Sequence, residues 1–171
     1  VVFGATMKVY STVSGRRATT GIRECADKGH IGRAPHYNSL FNYVENPALT
    51  PILKALIEES AMPLRAVESD FAVDASGFST CTYARWYDAK YGRMRSEHEW
   101  IKVHLMVGVK TNVVTSVEVT EAETHDSPEF PALLDSTASR FQMAEVSADK
   151  AYLSHKNLAL VEAAGAVPYI P

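Results

Sequence analysis

The sequence predicts an α/β protein in which a small helical region over residues 1–68 precedes a mixed β-sheet domain over residues 69–171. Three observations support this prediction. The early segments repeat apolar residues at helical spacing and are separated by proline, asparagine or glycine. The next segments are short, apolar and alternate with a period of two. The last segments alternate between strand-like and helix-like patterns.

The first region contains three predicted helices. Residues 16–28 and 36–45 are expected to form the first two, and the second places apolar side chains at i, i+3, i+4 and i+7. Thr50 is expected to cap a third helix, with Pro51 in its first position and Pro63 at its end. These helices come before the first strand-like segment.

Three strands are predicted to follow in antiparallel order. Residues 71–75 form a short apolar segment that we expect to be a buried strand, with Asp74 at its functional end. Residues 101–107 and 113–119 each alternate with a period of two, and residues 110–112 provide a turn between them.

Alternating helices and strands complete the chain. Ser127 begins a predicted helix with one apolar face, residues 145–149 form a strand that ends in Asp149, and Ser154 caps a further helix that Gly165 closes. A last strand begins in residues 166–171. Three antiparallel strands followed by helices and parallel strands are the layout of an RNase H-like mixed sheet.

Composition indicates a globular chain. Hydrophobic residues make up 46%, charged residues 22%, and the formal net charge is −3. No apolar run approaches the length of a membrane span. Cys25 and Cys81 lack metal-binding spacing, which favours a reducing, cytoplasmic setting. Residues 1–33 hold six basic and two acidic side chains, a balance that suits an arm that contacts phosphate but is also compatible with ordinary surface scatter.

Asp74 and Asp149 are the candidate catalytic and metal-binding pair. Each is expected at the end of an apolar strand, where an ionised carboxylate needs a cationic partner or a metal. Carboxylates from neighbouring strands can hold Mg²⁺, which prefers oxygen ligands. The alternative is that one or both make structural hydrogen bonds. Asp70 is a rival to Asp74, although it precedes its strand.

Four motifs in order resemble those of DDE-type insertion-sequence transposases. They are the first-aspartate segment Phe71–Phe78, the "W-x-K-x-H" strand Trp100–His104, the "T…HD" turn Thr120–Asp126, and the second-aspartate block Ser147–Tyr152 followed by Gly165–Pro171. Residues 33–68 also resemble the helical lead-in of such proteins. Ala151 departs from the family, which more often has glycine there.

The resemblance implies a metal-dependent enzyme that cleaves DNA and transfers strands at the ends of a mobile element. Asp74 and Asp149 would be its first and second acids, and the cofactor would be Mg²⁺ or Mn²⁺. The third acid, a Glu, is expected downstream, so this chain would be a portion truncated before it and inactive alone. DNA would be the partner, and strand transfer at two ends favours a homodimer.

Further residues are candidate DNA contacts. Lys102 and His104 share a strand face and could reach phosphate, or they could be solvated. Lys150 could meet a phosphate or only balance Asp149. Asp126 is more readily explained as a helix cap. An aromatic and basic stretch suits contact with backbone and unstacked bases, although it could equally be a packed hairpin. Its basic members are Arg85, Lys90, Arg93 and Arg95.

Two other functions remain open from the sequence. A catalytically inactive remnant could still bind element ends and act as a repressor. A nuclease of the same fold would hydrolyse DNA without transferring strands. A Glu encoded downstream in the same reading frame favours the enzyme over the remnant.

Overall fold

The structure is a computed structural model that describes residues 1–79 and 100–171. It separates into two compact units, Val1–Leu56 and Ile57–Pro171. The division lies earlier than the predicted domain boundary between residues 68 and 69. Each unit has its own hydrophobic core, so each is described by itself.

The first unit is helical. Helix α1 covers Val2–Tyr10, α2 covers Gly15–Asp27, and α3 covers Tyr37–Val44. A 3-10 turn at Pro47–Leu49 leads into α4, Thr50–Ala61, which begins in this unit. Helices α1, α2 and α3 contact one another around a small apolar core. Its fully covered members are Ala18, Ile22 and Leu40.

Local capping explains most of these boundaries. Ser14 accepts a hydrogen bond from the Arg17 backbone N–H at the start of α2. The predicted second and third helices are confirmed as α3 and α4, but Thr50 is not a cap, since it already has helical backbone angles. Asn46 caps the preceding 3-10 turn instead, by accepting from the Ala48 N–H at 3.0 Å. Helix α1 was not predicted.

The second unit contains a five-stranded mixed sheet, which confirms the predicted RNase H-like layout. The strands lie in the order β3-β2-β1-β4-β5. Strand β1 is antiparallel to β2 and β2 to β3, whereas β4 is parallel to β1 and β5 to β4. The bounds are β1 Asp70–Ser79, β2 Trp100–Gly108, β3 Val114–Glu121, β4 Glu145–Ala148 and β5 Val167–Tyr169.

Helices α5, Phe130–Ala138, and α6, His155–Ala163, provide the parallel connections of the sheet. The buried residues of α5 are the predicted set, Phe130, Leu133, Leu134 and Thr137. Ser154 caps α6 as predicted, and Gly165 follows it with a φ of 82°. Among the helices of residues 1–79 and 100–171, none is long and apolar enough to cross a membrane.

One face of the central strands is buried, and it is not the face that hydrophobicity alone favours. His104 and Met106 are fully buried in β2, whereas Ile101 is 38% exposed. His104 pairs with Ala75 of β1, and Met106 pairs with buried Val73. The strand pattern was therefore predicted correctly, and the burial of His104 contradicts the alternative that it is solvated.

The far end of the sheet is held by a buried acid that sequence analysis did not single out. Glu68 is 3% exposed and accepts hydrogen bonds from the backbone N–H groups of Lys110 (3.3 Å) and Thr111 (2.5 Å) in the β2–β3 turn. Burial raises the pKa of Glu68, but the hydrogen bonds and the Lys110 charge outweigh it, so the pKa lies below its ordinary value. A Cβ on Gly108 would lie 2.5 Å from the Glu68 carboxyl carbon.

Candidate active site

Asp74 and Asp149 come together at the middle of the sheet. The register of parallel strands β1 and β4 ends with Val73 opposite Ala148, so each aspartate is the next residue along its own chain. Neighbouring strands lie about 4.8 Å apart. Asp74 is not at a strand end, because β1 continues to Ser79 beyond the β4 partner. It is the β4 strand that stops there.

Both aspartates are exposed and lie on the face away from the α5-covered core. Asp74 alternates with buried Val73, and Asp149 keeps an extended backbone (φ −74°, ψ 172°) after β4. One oxygen of Asp74 accepts from the Ala75 N–H at 2.7 Å, and one of Asp149 accepts from the Ala151 N–H at 2.8 Å. Each bond fixes a carboxylate against its own backbone, and neither aspartate forms a salt bridge within residues 1–79 and 100–171.

The pair suits a divalent cation of the magnesium type. Both groups offer anionic oxygen, and their exposure leaves room for the several waters that Mg²⁺ keeps. Within the described segments, no cluster of three or more histidine, cysteine, aspartate or glutamate side chains has the spacing to hold a metal. Asp74 and Asp149 could therefore supply two oxygen ligands of such a site.

Lys102 is directed to a carboxylate within the same unit. Its Nζ donates to Asp126 Oδ1 at 3.0 Å and to the Thr124 carbonyl oxygen at 2.9 Å. This ion pair ties β2 to the turn before α5. Asp126 makes no side-chain capping hydrogen bond to the 3-10 turn at Ser127–Glu129, so the interpretation of Asp126 as a helix cap was wrong.

His104 is buried on the face of the sheet opposite to Asp74, and both of its ring nitrogens are engaged. Nδ1 lies 3.1 Å from the Tyr152 hydroxyl, and Nε2 lies 3.1 Å from the Thr120 hydroxyl. Asp126 Oδ1 is 3.7 Å from Nδ1. Burial lowers the pKa of His104 and outweighs the opposing effect of the Asp126 charge, so the ring is neutral at neutral pH. This enclosed position prevents His104 from contacting a phosphate in this arrangement.

Tyr152 is the residue that sequence reasoning missed. It is fully buried, and its pKa is raised by burial first, then by the negative charges of Asp126, Asp74 and Asp149. The two catalytic candidates are thus near enough to act electrostatically on the same hydroxyl. The sequence signal that could have identified Tyr152 is its position three residues after Asp149, within the second-aspartate block Ser147–Tyr152.

Of the remaining predicted DNA contacts, the structure describes only Lys150. Lys150 is exposed and follows Asp149 in a 3-10 turn, Lys150–Tyr152. The predicted contacts Arg85, Lys90, Arg93 and Arg95 lie outside the described residues.

Comparison with known proteins identifies the family of this chain. The family model described as "Transposase DDE domain" matches residues 65–171, more than half of the chain. The chain therefore belongs to the DDE transposase family.

Among solved structures, the chain is similar to a piggyBac transposase, described as a cryo-EM synaptic complex with hairpin DNA. The identity is 9% and the TM-score 0.40, with 98% of this chain and 40% of that chain covered. The chain thus spans less than half the length of that structure. No curated protein matches the sequence.

Proposed function

We propose that this chain forms part of a DNA transposase that cleaves DNA and joins strands at the ends of its own mobile element. The observation that carries the proposal is that Asp74 and Asp149 each directly follow the last register pair of two neighbouring strands, Val73 and Ala148, within the matched family domain. Both carboxylates face solvent, where a DNA backbone could approach them.

In this proposal, Asp74 and Asp149 hold Mg²⁺ or Mn²⁺. Bound there, the metal would activate the attacking oxygen and stabilise the leaving oxygen of a phosphodiester. The chain's own contribution is to orient the two carboxylates, through the N–H groups of Ala75 and Ala151, before any metal binds. We propose that a third carboxylate, a Glu, completes the site, as the resemblance implies.

Basic residues would contact the phosphate backbone of the bound DNA. Lys150 is adjacent to Asp149 and exposed, so it is the described residue best placed for that role. Arg85, Lys90, Arg93 and Arg95 are proposed to extend the contact, and Lys102 to act indirectly through Asp126. The helical unit, with exposed Arg16, Arg17 and Arg23 on α2, is proposed as a second DNA contact. We further propose a cytoplasmic homodimer, since two element ends must be processed.

The test is single-turnover cleavage of a labelled duplex that carries the terminal sequence of the element encoding the protein. With the full-length protein and Mg²⁺, Asp149→Asn should reduce cleavage by about 10³-fold or more, because several kcal/mol of charge stabilisation are lost. Asp135→Asn, an exposed acid on α5, is the matched control and should leave the rate unchanged. Retained cleavage in Asp149→Asn would exclude the assignment.

The same assay separates the enzyme from a DNA-binding remnant. A full-length protein that binds the labelled ends but cleaves them in neither Mg²⁺ nor Mn²⁺ would support the remnant. A protein that releases hydrolysed ends without joining them to a target would be a nuclease.

A further inference from the structure

We infer that His104 and Tyr152 are positioning residues that hold the turn carrying Asp149 in a fixed place beside Asp74. This inference rests on the proposed function, since it concerns the same pair of aspartates. It assigns a role to a polar cluster that the family resemblance leaves without one, made of the buried residues His104, Tyr152 and Asn157 and the half-buried Thr120.

The first step of the argument is the short turn after β4. The Tyr152 N–H donates to the Asp149 carbonyl oxygen at 3.1 Å, and the Ala151 N–H donates to the Asp149 carboxylate at 2.8 Å. Asp149 and Tyr152 therefore belong to a single hydrogen-bonded turn. Whatever holds Tyr152 also limits where the Asp149 carboxylate can lie.

Tyr152 is held at both of its ends. Its hydroxyl reaches His104 Nδ1 at 3.1 Å, and its carbonyl oxygen accepts from Asn157 Nδ2 at 2.8 Å. Asn157 also donates to the Ser127 carbonyl oxygen at 3.2 Å, which links the turn to the start of α5. The Tyr152 ring packs against Phe130, with centroids 5.9 Å apart. Because Tyr152 is fully buried, these contacts leave it little freedom.

His104 connects this anchor to the strand that carries Asp74. In the β1–β2 register, His104 is opposite Ala75, which follows Asp74 and donates its N–H to the Asp74 carboxylate. The hydrogen bond between His104 and Tyr152 therefore connects β2, which pairs with the strand that contains Asp74, to the turn that contains Asp149. This connection lies on the buried face of the sheet.

The donor and acceptor of each hydrogen bond between Thr120, His104 and Tyr152 follow from the partner of the Thr120 hydroxyl. The Thr120 hydroxyl donates to the Glu121 carbonyl oxygen, so it accepts from His104 Nε2–H. His104 Nδ1 is then the acceptor, and the Tyr152 hydroxyl donates to it. Throughout the described segments, no buried side-chain nitrogen or oxygen lacks a partner. Loss of the Tyr152 hydroxyl would leave His104 Nδ1 without a hydrogen-bond donor. The turn that contains Asp149 would then lose one of its two attachments.

The experiment compares two deletions of one buried hydroxyl in the full-length protein. Tyr152→Phe removes the bond to His104, whereas Thr137→Val, the control, removes a hydroxyl that bonds Thr115 (2.9 Å) and Ser116 (3.1 Å) between β3 and α5. Thermal unfolding, Mn²⁺ binding by electron paramagnetic resonance and the Mg²⁺ midpoint of cleavage would be measured. Groups that orient a metal's ligands typically change metal affinity or activity by about 10- to 100-fold.

Tyr152→Phe should weaken Mn²⁺ binding and raise the Mg²⁺ midpoint by about tenfold. Thr137→Val should change neither, although both variants lower the melting temperature. His104→Asn should bind Mn²⁺ more tightly than His104→Ala, because the asparagine amide can replace Nδ1 as a partner for Tyr152. Equal Mn²⁺ binding in Tyr152→Phe and Thr137→Val would overturn the inference.

The inference and the proposed function can fail separately. If Asp149→Asn abolishes Mn²⁺ binding and cleavage while Tyr152→Phe binds Mn²⁺ normally, only the positioning role is wrong. If Asp149→Asn retains both Mn²⁺ binding and cleavage, the metal site itself is wrong and the positioning role falls with it.

Discussion

The fold gives opposite environments to an acid that precedes β1 and to an acid within β1. Glu68, just before β1, is 3% exposed and its carboxylate is occupied by two backbone N–H groups of the β2–β3 turn. Asp74, within β1, is exposed and accepts one N–H from the residue that follows it. Asp149, which directly follows the neighbouring strand β4, is also exposed, and it accepts from the N–H of Ala151, two residues further on.

The difference shows how a structural acid can be distinguished from a candidate ligand. A buried carboxylate must be compensated within the protein, and Glu68 is. Asp74 and Asp149 are exposed carboxylates that each follow the last register pair of β1 and β4, and no salt bridge in residues 1–79 and 100–171 compensates either of them. A divalent cation bound between them would compensate both, which is the physical reason to propose a functional role for Asp74 and Asp149 and a structural role for Glu68.

The largest expected effect is on catalysis at the aspartate pair. Asp74→Asn and Asp149→Asn should each slow cleavage by about 10³-fold, and the double variant should be hardly slower, because the two groups act as one unit. Single-turnover rates of the full-length protein measure this. Multiplicative losses in the double variant would show that the carboxylates act independently and would contradict a shared cation.

Glu68→Gln should have the converse effect, on stability rather than chemistry. The variant should lower the free energy of unfolding by about 2 kcal/mol, because a buried acceptor of two N–H groups is replaced by an amide that must turn a donor toward one of them. Urea unfolding measures the change, with exposed Glu162→Gln as the control. Cleavage by the folded fraction should be unchanged. A loss of cleavage without a loss of stability in Glu68→Gln would contradict the structural role of Glu68.

Gly108→Ala should disturb the same end of the sheet to a smaller extent. The new methyl group would meet the Glu68 side chain at 2.5–2.9 Å, so Glu68 would have to leave its hydrogen bonds or shift. We expect a loss of about 1–2 kcal/mol by urea unfolding.

Gly77→Ala is the matched control for this substitution in the same strand pair. A Cβ there meets only Trp100, at 3.7 Å, which is an ordinary contact. A Gly108→Ala variant as stable as Gly77→Ala would mean that Glu68 is free to move.

The smallest effect is a dependence on pH that Glu68 should confer. Its pKa in the folded state lies below the ordinary value of 4.5, so its contribution to stability is complete above pH 4.5 and is lost as the pH falls through the folded value. The difference in unfolding free energy between the wild type and Glu68→Gln should therefore shrink below pH 4.5. Urea unfolding between pH 3 and 7 would show it, and a constant difference would contradict the role of the charge.

The order of elements could be read from the sequence because it depends on local rules. The period-two segments became β2 and β3, the apolar face of α5 was the predicted one, and Ser154 capped α6 as expected. Asp149 was found directly after its short strand. Helix α1 was missed because no capping side chain marks its start.

The sequence by itself determined that Asp74 and Asp149 each accompany a short apolar strand, because such strands are defined by neighbouring residues. Only the tertiary structure decided that β1 and β4 are adjacent, that the His104 face of β2 is the covered one, and that Tyr152 bonds to His104. Alternation specifies two faces of a strand but not which one a helix covers. That choice depends on contacts between residues 48 positions apart, such as His104 and Tyr152, which no local pattern records.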